Sequence, residues 1–226
     1  DILTVLLANR DDQDLNDDMI LREVAFFMQA GAHSSANALT HTFHELAQWS
    51  EAHPEDRIRL KADDGFLQRC VHESLRLHPA SPVAWREASE SFSLPDGTPV
   101  AAGDSVLIDL MSANLETSLF GQDAASFNPN REVANRIPTF GLTFGIGIHT
   151  CFGRDIAGGL GNAKDSDEAP HLGTLTNLLK SLLQHDARPD PARPPVADTA
   201  TERPNWGSYP LLVGAPQSVQ STGLTR

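Results

Sequence analysis

Two cysteines occur in the 226 residues, Cys70 and Cys151, and each has a histidine two positions away, in Cys70-Val71-His72 and His149-Thr150-Cys151. A thiolate with an imidazole nearby is a donor set for a soft or borderline metal ion, and the four residues together could be written as a Cys₂His₂ zinc site. Spacing argues against that grouping, because residues two apart on a helix point in very different directions and Cys70 and His72 would not easily share one metal. The plain alternative for an isolated cysteine is a small buried hydrophobe.

The stretch around the second cysteine, Phe144-Gly145-Ile146-Gly147-Ile148-His149-Thr150-Cys151-Phe152-Gly153, satisfies F-x-x-G-x-H-x-C-x-G at all five fixed positions. In this it resembles the haem-binding loop of cytochromes P450. The resemblance implies haem b, iron protoporphyrin IX, with Cys151 as the iron ligand, deprotonated and held by surrounding amides. Gly147 would permit the tight turn that brings N–H groups near the sulfur, and Gly153 would let the chain pass close to a flat macrocycle. Phe144 would cover the thiolate from solvent. His149 would donate to a haem propionate and would not ligate iron.

Upstream, Glu73-Ser74-Leu75-Arg76-Leu77-His78-Pro79 places a carboxylate and a guanidinium at i and i+3. They flank an apolar stripe of Phe66, Leu67, Cys70, Val71 and Leu75, where a charge-assisted pair can form. The run is similar to the K helix of cytochromes P450 and stands in the expected order before the cysteine loop. The resemblance implies that Glu73 and Arg76 join Arg131, of Phe127-Asn128-Pro129-Asn130-Arg131, as structural support around the haem. It also assigns Arg86, which follows Pro82-Val83-Ala84-Trp85, to a haem propionate; a solvated strand-edge charge is the other reading.

Ala30-Gly31-Ala32-His33-Ser34-Ser35 looks like the oxygen-side I-helix segment of the same family, A-G-x-D/E-T-T, with His33 in place of the acid and Ser34 in place of the usual Thr. Gly31 would allow close approach to the cofactor, and a Gly/Ser cluster with an inserted water would open the helical ladder to seat oxygen. Ser34 keeps a hydroxyl able to relay a proton, and His33 would act as a proton shuttle or as a hydrogen-bonded core histidine.

The elements that must position these groups follow from pattern. The acidic run 11–18 is helix-starting, with Asn16 or Asp14 as N-cap and Asp17 and Asp18 at the positive end of the dipole. A long helix is predicted to about Trp49. Residues 24–44 hold no Asp, Glu, Lys or Arg, which predicts a central helix buried on most sides. A short connection through Pro54 leads to a second helix over 63–78, ended by Pro79 and Pro82. Alternation over 83–108 around Pro95-Asp96-Gly97 predicts a small sheet. A helix near 172–185, a proline-rich extended connection and a terminal strand near 209–213 complete the chain. Gly158-Gly159 and Gly161 should interrupt the helix behind the thiolate.

Seventeen Lys and Arg against thirty Asp and Glu give a net charge of −13, so no overall basic field attracts nucleic acid or anionic lipid. Two cysteines read as reduced thiols, which with no basic n-region or cleavage site in the first residues predicts a cytoplasmic compartment. Gln29, His33, Asn37, His41 and His44 would be costly in lipid, which excludes a membrane span over 24–44.

The expected fold is mainly α with a small β-sheet: the C-terminal portion of the cytochrome P450 fold, one haem domain over 1–226 with a flexible tail at 215–226. The resemblance implies a haem-thiolate monooxygenase acting on a small organic substrate. Electrons would come from reduced nicotinamide through a ferredoxin or flavoprotein reductase. The N-terminal portion usual in the family, with helices that cover the haem, would be supplied by a companion fragment. The alternative is a non-catalytic haem-binding remnant or sensor.

Overall fold

A computed structural model describes residues 1–134, 136–160, 171–201 and 203–214. The chain opens with α1 (Ile2–Ala8), capped by the Asp1 carboxylate, and continues into α2 (Asp17–Ala52). The Asn16 side chain accepts from the Met19 amide at 2.9 Å and so fixes the start of α2. Its 36 residues extend about 54 Å at 1.5 Å per residue. The stretch after Pro54, expected as a bare connection, contains α3 (Asp56–Ala62), whose Leu60 is buried. Next comes α4 (Asp64–Leu77), started by Asp63 accepting from the Phe66 amide and ended at His78 before Pro79.

The predicted sheet region forms two antiparallel ladders. β1 (Val83–Glu87) pairs with β4 (Ser105–Asp109), placing Arg86 opposite Val106, and β2 (Phe92–Ser93) pairs with β3 (Pro99–Val100). Gly97 turns the second hairpin at φ +88°. Two short helices, α5 (Leu110–Asn114) and α6 (Thr117–Phe120), lead into irregular chain. A 3₁₀ turn at Gly147–His149 and α7 (Arg154–Gly158) bracket Cys151. After α8 (Thr174–Gln184), β5 (Arg188–Pro189) pairs with β8 (Leu211–Leu212), and β6 (Val196–Ala197) with β7 (Trp206–Ser208).

The core gathers Phe43 and Leu46 of α2, Leu60 of α3, Phe66, Leu67, Cys70, Val71 and Leu75 of α4, and Leu175 and Leu179 of α8. Each large apolar side chain so enclosed contributes roughly 1.5–3 kcal/mol. The central helix is α4, and the expectation for α2 is corrected: apart from Ile20, its buried residues all lie in its second half. Every α4 residue from Phe66 to Leu77 except Arg69 is buried, polar ones included. In the first half of α2, where α1 packs, Ile20 is buried, but Leu21, Phe26 and Met28 stand at 67, 59 and 70% exposure. A charge-free stretch signals apolar surroundings without saying which chain provides them.

The helix after Cys151 stops where expected, at Gly159, which adopts φ +75°. A Cβ there would lie 2.5 Å from Gly173 N, so two backbones meet with no room for a side chain. Gly161 and the tail 215–226 lie outside the described residues. No helix among the described residues is long and apolar enough to cross a membrane.

Candidate functional site

The cysteine loop is shaped by its own backbone. The Cys151 amide donates to Phe144 O at 2.8 Å, Gly145 N to Leu142 O at 2.8 Å, and Thr150 N to Gly147 O at 3.1 Å. Gly147 sits at φ +66°, and Gly145 shares that φ. A Cβ on Gly145 would stand 3.1 Å from His149 O. The Cys151 thiol is free and exposed. The Phe144 ring braces the loop from beneath, edge-on to Phe140 with centroids 5.0 Å apart. Gly153 has an ordinary φ of −82°.

Above the thiol lies a cleft of about 280 Å³ whose lining brings together Ser34, Arg86, Phe144, His149 and Cys151. Ala38, Leu75, Leu110 and Leu175 give it apolar walls. α2 contributes one wall, the start of β1 another, and the cysteine loop the floor. The side chain of Arg86 is exposed and donates to Trp85 O at 2.7 Å.

Beneath the floor, Arg76 is fully buried and forms a fork with Glu73, Nε to Oε2 at 2.8 Å and Nη2 to Oε1 at 2.7 Å. Its Nη1 donates to Asn114 O at 2.6 Å and Ala124 O at 2.7 Å. Glu73 Oε1 also accepts from Arg131 Nε at 3.0 Å and from the Asn128 amide at 3.1 Å. Arg131 continues to Asp123 at 2.6 Å. Buried charges with every partner in place satisfy the condition under which such ions are tolerated.

On the α2 side the helix is continuous through Gly31, Ser34 and Ser35, so the expected opening of its ladder is not present. Ser34 Oγ donates back to Ala30 O at 2.6 Å, the bond a serine makes inside an intact helix. His33 is exposed and bonds through Nε2 to Asn37 at 3.1 Å, and it is not among the cleft-lining residues. Gly31 also lies outside that lining, with open space beside it.

The family profile described as Cytochrome P450 matches residues 1–158, more than two thirds of the chain. This chain belongs to the cytochrome P450 family. Among curated relatives, human Cytochrome P450 4F11 is 29% identical over 179 residues, spanning 70% of this chain and 34% of that protein. Cytochrome P450 4c21 of Blattella germanica is 31% identical over 173 residues, 68% of this chain and 34% of that protein. Among solved structures, CYP154A1 from Streptomyces coelicolor A3(2) superposes with a TM-score of 0.68 at 24% identity, covering 94% of this chain and 49% of that one. Mycobacterium smegmatis CYP164A2, solved with econazole bound, gives 0.69 at 20% identity over 93% and 46%. The chain therefore spans about a third of the curated relatives' length and about half of the bacterial structures'.

Cytochromes P450 bind haem b, and the residues present fit that group. An accessible thiol on the cleft floor suits iron, apolar walls suit the porphyrin, and Arg86 and His149 at the lining suit its carboxylates. The zinc arrangement does not fit. Cys70 is fully buried in the core, where burial pushes its thiol pKa well up and keeps it protonated. Both ring nitrogens of His72 are taken, and among the described residues no group of three or more candidate ligands could hold a metal ion.

Several supporting residues carried no sequence signal. Asn114 is fully buried; its Oδ1 accepts from the Leu142 amide at 2.7 Å and its Nδ2 donates to Arg76 O at 3.0 Å. Thr143 Oγ1 donates to Leu75 O at 2.5 Å, tying the loop's approach to α4. Gln68 Nε2 donates to Leu160 O at 2.8 Å behind the loop. A polar residue in a turn-rich stretch looks solvated until its partner, far away in sequence, is known.

Proposed function

We propose that this P450 chain is the haem-bearing part of a monooxygenase that inserts one atom of O₂ into a small organic substrate. The other atom leaves as water, and the electron pair comes from reduced nicotinamide through a ferredoxin or flavoprotein reductase. The observation that carries the reading is the single cleft shared by Cys151, His149, Arg86 and Ser34. When bound, the haem supplies oxygen binding and O–O cleavage, which a thiolate ligand favours by electron donation.

Within that arrangement the chain's own residues divide the work. Cys151 offers sulfur from a floor whose amides are fixed by the 144–151 hydrogen bonds. Arg86 and His149 orient the cofactor through its carboxylates. Ser34 holds or passes a proton at the α2 wall, its oxygen retaining acceptor capacity while its hydrogen is engaged by Ala30 O. His33, on a different part of the helix surface, does not deliver protons directly into the cleft. The companion is the polypeptide equivalent of the remaining half of the bacterial relatives, seated on the exposed apolar part of α2, and the cytoplasm is the proposed compartment.

The reduced protein with carbon monoxide should show the red-shifted Soret band of a thiolate-ligated haem, and Cys151→Ala should abolish it. A wild-type spectrum without that band overturns the assignment. A second reading, a haem-binding remnant or sensor, is favoured by the unbroken α2 ladder at Ser34 and by His33 standing outside the cleft. Substrate-dependent oxygen consumption with product formation separates the two.

A further inference from the structure

His72 stands one residue before Glu73 on α4 and is buried at 3% exposure, yet the ion-pair network does not involve it. Its Nε2 lies 2.7 Å from Gly158 O, at the end of α7 behind Cys151. Its Nδ1 lies 2.8 Å from Thr139 Oγ1, in the chain that approaches the loop from the other side. A carbonyl oxygen only accepts, so Nε2 carries the proton and Nδ1 accepts from the threonine hydroxyl. One neutral imidazole thus has both nitrogens satisfied by the two ends of the 139–158 segment.

Three further contacts lie around the same ring. Phe140 meets it edge-on, with centroids 5.3 Å apart, and Phe140 in turn meets Phe144. A Cβ on Gly158 would fall 3.2 Å from the Phe144 ring, so glycine there lets α7 sink until its last carbonyl meets His72. One turn earlier on α4, Gln68 grips Leu160 O and accepts from Gly173 N at 3.2 Å. Burial lowers the His72 pKa, in keeping with a neutral ring.

We infer that His72 is a positioning residue: by joining Thr139 to Gly158 through its two ring nitrogens, it pins both flanks of the cysteine loop to α4 and so sets where the Cys151 sulfur stands. Closing the 139–158 loop at its base removes chain freedom from the segment that carries the sulfur. The consequence for haem rests on the proposed thiolate ligation of Cys151, whereas the clamp itself does not.

Hydrogen exchange on the full 226-residue chain tests the clamp without cofactor, comparing wild type with His72→Phe, which keeps a ring and loses both bonds, and His72→Gln, which keeps the donor toward Gly158. In His72→Phe the Cys151 and Ala157 amides should exchange about tenfold faster, the scale of one lost hydrogen bond, with α2 and α8 amides within about twofold of wild type. His72→Gln should restore protection at 157 but not at 140–145. Unaltered exchange in the loop, or equal acceleration in every helix, overturns the inference. Should His72→Phe not fold, Thr139→Val decides it by accelerating 140–145 alone, and no acceleration there counts against the clamp. In haem-loaded protein His72→Phe should reduce the thiolate carbon monoxide band about tenfold, with recovery in His72→Gln. A wild-type band that His72→Phe leaves intact overturns the positioning role. No band in wild type, with the exchange pattern as expected, removes the haem reading and leaves the clamp standing.

Discussion

Arg76 concentrates the residue-scale energetics. Its guanidinium is fully buried and held by one carboxylate and two carbonyls, so the cost of taking it out of water is offset only while every partner stays. Arg76→Leu would leave Glu73 with only Arg131 and the Asn128 amide as named partners, and two buried carbonyls without their guanidinium donor. The expected loss is about 3–5 kcal/mol of unfolding free energy, read from urea denaturation of the apo chain. A loss under about 1 kcal/mol would place the pair among ordinary surface bridges. The i, i+3 spacing made the Glu73–Arg76 pair legible. Its burial was not, because exposure depends on α5, α6 and the 123–131 segment folding over it.

At the scale of elements, α2 meets the end of α4 and β7 through a cluster of rings. His41 stacks on His78 with centroids 4.4 Å apart, His78 pairs with Glu45 at 2.7 Å, and His44 bonds the Tyr209 hydroxyl at 3.0 Å. Burial, with the charge of His78 second, pushes the His41 pKa from 6.5 to about 4, and His44 is lowered first by burial as well. The unfolded chain then binds more protons than the folded one between those values. Stability contributed by neutral His41 is complete above about pH 6.5 and lost as pH falls toward 4. Thermal midpoints should drop across that window, and His41→Gln should flatten the drop. An unchanged slope in the variant would assign acid sensitivity elsewhere. The helices were readable because caps and periodicity are local: Asn16, Asp63 and Pro79 mark their ends. The choice of central helix was not, since it turns on which elements surround α4.

At the scale of the molecule, Leu21, Phe26 and Met28 on the first half of α2 stand exposed among the described residues. Relatives of about twice the length share its fold, and the occupant proposed above is the rest of that fold. Phe26→Lys combined with Met28→Lys should change the stability of the isolated chain by less than about 0.5 kcal/mol, as surface substitutions do. The same pair should abolish co-purification with a companion made from the remaining half of the fold, and with it the companion's gain in haem retention. A double variant that unfolds the chain alone, or still binds the companion normally, would show that this face is not the seat.

By itself the sequence determined the chemistry of the loop, through Phe144, Gly147, His149 and Cys151 at fixed spacing, and the positions of the main helices. Such information lies within a few residues along the chain, where backbone conformation and hydrogen-bonding capacity are set. Only the tertiary structure decided that Phe144 packs edge-on to Phe140, that His33 stands outside the cleft, and that Asn114 and His72 hold the loop. Those outcomes depend on contacts between residues dozens of positions apart, such as His72 with Gly158, whose energies exist only once packing has brought them together.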